Sequence, residues 1–69
     1  MRRYTGKMNG ERYLGNANKM EVHDLDSEKT QCQIDEIIKA GHERPFGTLA
    51  EARARGYDNC AYCLGGSAR

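Results

Sequence analysis

Polar and apolar residues alternate along a short stretch of the first half of the chain. Residues 19–23 read KMEVH, a period of two that is typical of a strand with one buried face. A turn-forming run, residues 16–18, precedes this stretch, and residues 12–15 before the turn are compatible with another strand. The pattern therefore predicts an antiparallel hairpin.

The spacing of apolar residues becomes helical after residue 30. Three isoleucines fall on one face of the expected helix: Ile34, Ile37 and Ile38. Thr30 and Gln33 have the spacing of a capping box, and Gly41 is suited to the left-handed conformation that ends a helix. We therefore predict a helix over residues 31–40.

An edge strand and a second helix are predicted downstream. Residues 43–47 suit the edge of a sheet, because Pro45 has no N–H group to donate. Thr48 and Glu51 form another capping-box pattern, and Gly56 marks the end of this helix. Residues 57–59 are expected to form a turn.

The composition limits how much stability a core can supply. The chain has 69 residues, of which 38% are hydrophobic and 30% charged. Below about 70–80 residues a hydrophobic core rarely yields more than about 3–5 kcal/mol, so the fold needs an additional constraint. No apolar run is long enough to span a membrane, and residues 1–6 lack the apolar run of a signal peptide, so a cytoplasmic protein is expected.

Charge is distributed unevenly along the chain. Residues 1–19 hold five basic side chains and one acidic, whereas residues 20–36 hold six acidic and one basic. The basic end lacks interleaved aromatic residues, and the isoelectric point of about 7.7 is low for a nucleic-acid binder. We expect one domain over residues 12–64, with flexible tails at 1–11 and 65–69.

Three cysteines suggest the missing constraint. An odd number does not suit a disulfide framework, whereas Cys60-x-x-Cys63 is a spacing that binds metal ions. The same spacing occurs in redox pairs, but those lie on a βαβ frame that this sequence does not predict. Cys32, His23 and His42 are the remaining candidate ligands.

The predicted helix separates the two histidines. At about 1.5 Å per residue, helix 31–40 would hold Cys32 and His42 about 15 Å apart, too far to share an ion. His23 is joined to Cys32 by a loop of eight residues, which can fold back. The expected site is one zinc ion bound by His23, Cys32, Cys60 and Cys63. His42, Asp24 or water remain alternatives for the fourth ligand, and iron an alternative to zinc.

The second half of the chain resembles a known family. The pattern is Phe46-x-Thr48-x-x-Glu51-Ala52-x-x-x-Gly56-Tyr57-x-x-Cys60-x-x-Cys63. It is similar to part of the metal-binding domain of Ada, a bacterial DNA-alkylation repair protein, and closer still to small stand-alone bacterial modules like that domain. Their opening strand resembles Tyr13-Leu14-Gly15-Asn16. The resemblance implies a small α+β fold around one zinc ion.

The chain departs from the Ada domain where its chemistry lies. In that domain all four zinc ligands are cysteines, and the first accepts a methyl group from a DNA phosphotriester. His23 stands at the corresponding position here, and an imidazole cannot perform that thiolate chemistry. The spacing to Cys32 is also longer than in the family, and Asn59 stands where a proline is common. Methyl transfer is therefore not expected to carry over.

The sequence as a whole predicts a small α+β domain stapled by zinc. We expect a mainly antiparallel sheet of about three strands and two or three short helices. No sequence motif of a conventional enzyme occurs, so a non-catalytic module is expected, monomeric and binding an unidentified protein or nucleic acid. The alternatives are a zinc-activated cysteine that accepts alkyl groups or senses thiol-reactive compounds, and a DNA-binding module.

Overall fold

The computed structural model describes residues 1–64, and the predicted tail at 65–69 lies outside that range. It is an α+β fold with four strands in the order β3-β1-β2-β4. The strands are β1 (Tyr13–Asn16), β2 (Glu21–Asp24), β3 (Glu43–Phe46) and β4 (Asp58–Asn59). The helices are α1 (Ile34–Lys39) and α2 (Leu49–Ala54), and a 3₁₀ turn spans Thr30–Cys32. The fold class is confirmed, with four strands rather than three.

The predicted hairpin and edge strand are both present. β1 and β2 are antiparallel, with Leu14 opposite His23, and β3 pairs antiparallel with the other side of β1. Pro45 lies opposite Leu14 in β3, which is an edge strand of the sheet. Its missing N–H group is tolerated there, as the sequence indicated.

The predicted turn at residues 57–59 is wrong in part, because Asp58 and Asn59 form β4. This strand runs parallel to β2 and pairs with Glu21 and Val22. Backbone hydrogen bonds extend the pairing at both ends, from the N–H of Asp58 to the Met20 carbonyl and from that of Cys60 to the Val22 carbonyl, each 2.9 Å. The strand carries the chain to Cys60 beside β2.

The predicted helix 31–40 is shorter and begins later. Residues 30–32 form a 3₁₀ turn, and Gln33 has a left-handed conformation with φ 53°. Neither α1 nor the turn has a side-chain cap, so the capping box expected between Thr30 and Gln33 does not form. On the N-terminal side of this break, Cys32 is buried in the core with its sulfur 3.7 Å from that of Cys60. The helix predicted from the sequence did not include this break.

The second helix follows the sequence more closely. The Glu51 N–H donates to the Thr48 hydroxyl at 3.2 Å, and that hydroxyl lies 3.3 Å from the Glu51 carboxylate. Thr48 is therefore the N-cap that the pattern predicted. Gly56 follows the helix with φ 88°, the left-handed conformation expected at its end.

The core consists of two clusters of buried side chains. The larger surrounds the cysteines and comprises Met8, Leu14, Leu25, Cys32, Ile34, Ile37 and Cys60. The smaller lies between the sheet and α2 and comprises Val22, Phe46 and Ala52. No helix within residues 1–64 is long and apolar enough to cross a membrane.

Several contacts join residues 1–11, the segment expected to be a flexible tail, to the rest of the chain, although most of these residues are exposed. Met8 is 3% exposed and belongs to the larger cluster. Arg3 donates to both carboxylate oxygens of Glu28, at 2.5 and 2.9 Å, and to Asp35 at 2.9 Å. The uneven charge is thus used within the molecule, since the basic N-terminal segment pairs with the acidic middle of the chain.

Candidate metal centre

Three cysteines and a histidine from distant parts of the chain form one cluster. One ligand atom from each of His23, Cys32, Cys60 and Cys63 can be chosen so that all lie within 4.8 Å of one another. The Cys32 and Cys60 sulfurs are 3.7 Å apart, and the Cys63 sulfur is 3.8 Å from His23 Nδ1. All four residues singled out in the sequence are brought together.

The four residues come from β2, the 3₁₀ turn and the segment that follows β4. His23 lies in β2 next to Val22, on the face that the alternation of residues 19–23 leaves to polar side chains, yet it is only 3% exposed. Cys32 ends the 3₁₀ turn, and Cys60 follows β4 directly. The turn after Cys60 is closed by a backbone hydrogen bond of 3.0 Å from Leu64, which brings Cys63 back toward β2.

The distances match those of a tetrahedral zinc site. Zinc–sulfur bonds of about 2.3 Å at tetrahedral angles place neighbouring ligand atoms about 3.8 Å apart. The two contacts at 3.7 and 3.8 Å agree with that spacing. His23 Nδ1 is the imidazole nitrogen that lies beside a cysteine sulfur, so it is the one that would bind an ion in this arrangement. Three sulfurs and one imidazole nitrogen at this spacing fit a divalent ion.

Burial controls the protonation of the cluster without a metal. Removal from water raises the pKa of Cys32, and it also raises the pKa of Cys63, both through the cost of a buried thiolate. The same effect lowers the pKa of His23, so its imidazole is neutral at pH 7. A neutral imidazole is the form that binds metals, whereas the two thiols must lose protons on binding.

A backbone amide supports the cluster from β2. The N–H group of Asp24 donates to the Cys63 sulfur at 3.3 Å, which stabilises negative charge on that atom. The Asp24 carboxylate is held by Arg12, with two hydrogen bonds of 3.1 and 3.0 Å. Asp24, an alternative fourth ligand in the sequence, therefore has its side chain engaged elsewhere and contributes its backbone.

The second histidine is not part of the ligand group. His42 is half-buried and lines a cavity of about 290 Å³ that His23, Cys32 and Cys60 also line. It is absent from the group of ligand atoms found within residues 1–64. Within residues 1–64, His42 is therefore not among the residues whose ligand atoms converge.

Two contributors to the centre were missed in the sequence. Met8 packs in the cluster that contains Cys32 and Cys60, but it lies in a segment without periodicity. The Asp24 amide gives no side-chain signal, although its place directly after His23 in an alternating strand could have suggested it. Both depend on tertiary contacts.

Comparison with protein-family models, with curated proteins and with solved structures finds no match for this chain. The similarity to Ada-like domains thus stays a prediction from the residues.

Proposed function

We propose that this chain is a small zinc-binding module with a structural, non-catalytic ion, serving as an interaction domain for a protein or nucleic acid. The observation that carries the proposal is the convergence of the four ligand atoms within 4.8 Å. Sulfur and imidazole ligands favour zinc among common divalent ions. Four protein ligands leave no open position for a substrate, which is the character of structural zinc sites.

The small size of the core also favours a structural ion. A core of this size supplies about 3–5 kcal/mol, whereas structural zinc in finger peptides contributes an apparent 10–16 kcal/mol or so at pH 7. The ion is therefore expected to decide whether the chain folds. Because the larger core cluster contains two of the ligands, binding and packing form one structural unit.

Elemental analysis of the purified chain tests the proposal. We expect one zinc per chain, and loss of dispersed amide NMR signals when a strong chelator removes it. Readdition of zinc should restore the spectrum. A chain that stays folded and metal-free after chelation contradicts the structural role, and iron in place of zinc contradicts the metal assignment.

A second candidate function is a zinc-activated thiolate that accepts alkyl groups. The observation that favours it is the partial exposure of Cys63, the least buried of the three cysteines. Intact-mass analysis of the zinc-loaded chain after exposure to methylated DNA or a mild alkylating agent distinguishes the two. A single adduct on Cys63 supports the thiolate role, and absence of any adduct removes it.

A further inference from the structure

The arginines of this chain divide into two groups by their partners. Those near the N-terminus are paired with carboxylates: Arg2 with Asp26, Arg3 with Glu28 and Asp35, and Arg12 with Asp24 and Asp26. Arg44 and Arg55 form no ion pair with a carboxylate of residues 1–64, and both line the same groove. Arg44 Nη1 donates to backbone carbonyls of Gly41 and Glu43, and the other N–H groups of the two guanidinium groups are available to a ligand.

The groove lies where β3 meets the end of α2. Its volume is about 410 Å³, within the range of small-ligand sites. β3 contributes Arg44, Pro45 and Phe46 to its lining. Met20, Tyr57 and Arg55 supply further apolar and basic surface, and Glu51 supplies a carboxylate that lies 3.3 Å from the Thr48 hydroxyl.

Two aromatic rings of the groove are held in place from the sheet side. Phe46 and Tyr57 pack edge to face, with ring centroids 5.2 Å apart and an interplanar angle of 66°. Both rings lie against Gly15 of β1, where an added Cβ would come within 2.7 Å of each. Because Gly15 has no side chain, the rings of Phe46 and Tyr57 can pack directly against β1. The two rings together form an apolar wall of the groove.

The edge of β3 is poorly suited to an added strand. Pro45 lacks an N–H group, and Arg44 Nη1 donates to the Glu43 carbonyl at 2.8 Å, occupying an acceptor near that edge. An extended peptide cannot use the usual backbone pairing there. The groove is better matched to a compact ligand recognised through side chains.

We propose that this groove binds a nucleotide, its phosphate between Arg44 and Arg55 and its base on the apolar wall that includes Tyr57. The nucleotide belongs to single-stranded nucleic acid. Arginine matches phosphate geometry, and bases stack on aromatic and arginine surfaces with little dependence on sequence. The inference rests on the interaction role proposed above and names its partner.

Fluorescence anisotropy with labelled oligothymidylate tests the proposal on the zinc-loaded full chain. We expect Arg44→Gln and Arg55→Gln each to weaken binding by about tenfold and to reduce the slope of log Kd against log salt by about one. Arg53→Gln is the matched control, since Arg53 is exposed on α2 and does not line the groove. It should change Kd by less than about twofold.

Competition identifies the source of the nucleotide. Failure of thymidine monophosphate to displace the oligonucleotide at comparable concentration supports single-stranded nucleic acid, and displacement overturns that assignment in favour of a free nucleotide. Tighter binding of a blunt duplex, equal binding of a polyglutamate peptide, or equal loss in the Arg53 variant overturns the proposal. So does absence of binding at low salt.

Zinc content and the amide NMR spectrum are recorded for every sample. A folded, zinc-loaded chain that binds no nucleotide contradicts this inference alone. A chain that is folded without zinc contradicts the proposed structural role instead, whatever it binds.

Discussion

Gly6 lies so close to the Glu43 carboxylate that no side chain larger than a hydrogen atom fits there. Its backbone is left-handed, with φ 59°, and an added Cβ would lie 2.0 Å from Glu43 Oε2. That oxygen accepts the Lys7 N–H at 2.9 Å, and the Glu43 side chain is buried. The close approach therefore fastens the N-terminal segment to β3.

Gly6→Ala is expected to destabilise the zinc-loaded chain by about 2–3 kcal/mol, combining backbone strain with displacement of Glu43. Gly41→Ala is the matched control, because Gly41 has φ 79° but nothing within 4 Å of an added Cβ. It should cost only the strain, about 1 kcal/mol. Urea unfolding measures both, and equal losses would contradict the role of the contact.

His23 is the residue that distinguishes this cluster from one of four cysteines. His23→Leu is expected to lower zinc affinity more than about a hundredfold. Loss of a group that only hydrogen-bonds to a metal ligand typically costs about 10–100-fold in affinity, and loss of a ligand itself should cost at least as much. His23→Cys should retain tight binding. His42→Leu is the control at the second histidine, and competition with a chromophoric chelator measures all three. An unchanged affinity in His23→Leu would exclude this histidine as a ligand.

The pH dependence of zinc binding follows from the buried thiols. Burial raises the pKa of Cys32 and the pKa of Cys63 in the folded arrangement, and in a chain that unfolds without metal a cysteine thiol has an ordinary pKa of about 8.5. In either state both thiols are mostly protonated at neutral pH without metal. Binding releases these protons, so protons compete with zinc and acid weakens the complex. Affinity should fall at least about a hundredfold from about pH 8 to about pH 7. Chelator competition across this range checks the slope, and less than a tenfold change would contradict it.

At the scale of elements, the periodicity of the sequence predicted a strand or helix correctly where the local preference of the residues matches their packing in the fold. The alternation in residues 19–23 predicted β2 and the burial of Val22, and Thr48 was correctly predicted to cap α2. The burial of His23 on the opposite face of β2 was not part of that pattern. The helix expected over residues 31–40 was wrong at its start, because Gln33 adopts a left-handed conformation that no propensity favours. The left-handed residue separates the 3₁₀ turn that carries Cys32, 3.7 Å from the Cys60 sulfur, from α1.

β4 could not be predicted from periodicity. Two residues carry no alternation, and their pairing partners, Glu21 and Val22, are far away in sequence. The N-terminal segment has the same difficulty, since its contacts with the rest of the chain include ion pairs with residues 24–35 and follow no local pattern. Contacts at long sequence separation decide both elements.

The ion pairs of the N-terminal segment differ in burial, which gives a test at this scale. Arg3 has a side chain 13% exposed and binds both oxygens of Glu28, whose pKa it lowers to about 2. Arg3→Gln should lower the free energy of unfolding by about 1–2 kcal/mol at neutral pH.

Arg2→Gln is the control for that substitution. Arg2 pairs with Asp26, and both side chains are more than 40% exposed, at 44% and 42%. Its loss should cost less than about 0.5 kcal/mol, because solvent screens an exposed pair. Thermal unfolding of the zinc-loaded variants compares the two. A larger effect from Arg2 would show that burial does not set the strength of these pairs.

For the molecule as a whole, β2 joins the two core clusters. Val22 belongs to the smaller cluster and the neighbouring His23 to the metal centre, while the Val22 carbonyl accepts the Cys60 N–H. The candidate site could be predicted because Cys and His are rare residues with few other uses in so small a chain. Its supporting contacts could not, since they arise only from packing.

Because the clusters share β2, metal removal should unfold both together. The smaller cluster has three buried side chains, too few to offset an ordering cost of about 1–2 kcal/mol per residue. Hydrogen exchange should therefore show protection lost after chelation at the Tyr57 N–H, which donates to the Ala52 carbonyl, as well as at Asp24 beside the cysteines. We expect exchange at both amides to quicken by more than about a thousandfold, the loss corresponding to global unfolding. If Tyr57 stayed protected while Asp24 exchanged freely, the α2 side of the fold would be stable without the ion, and zinc would stabilise only the region around the cysteines.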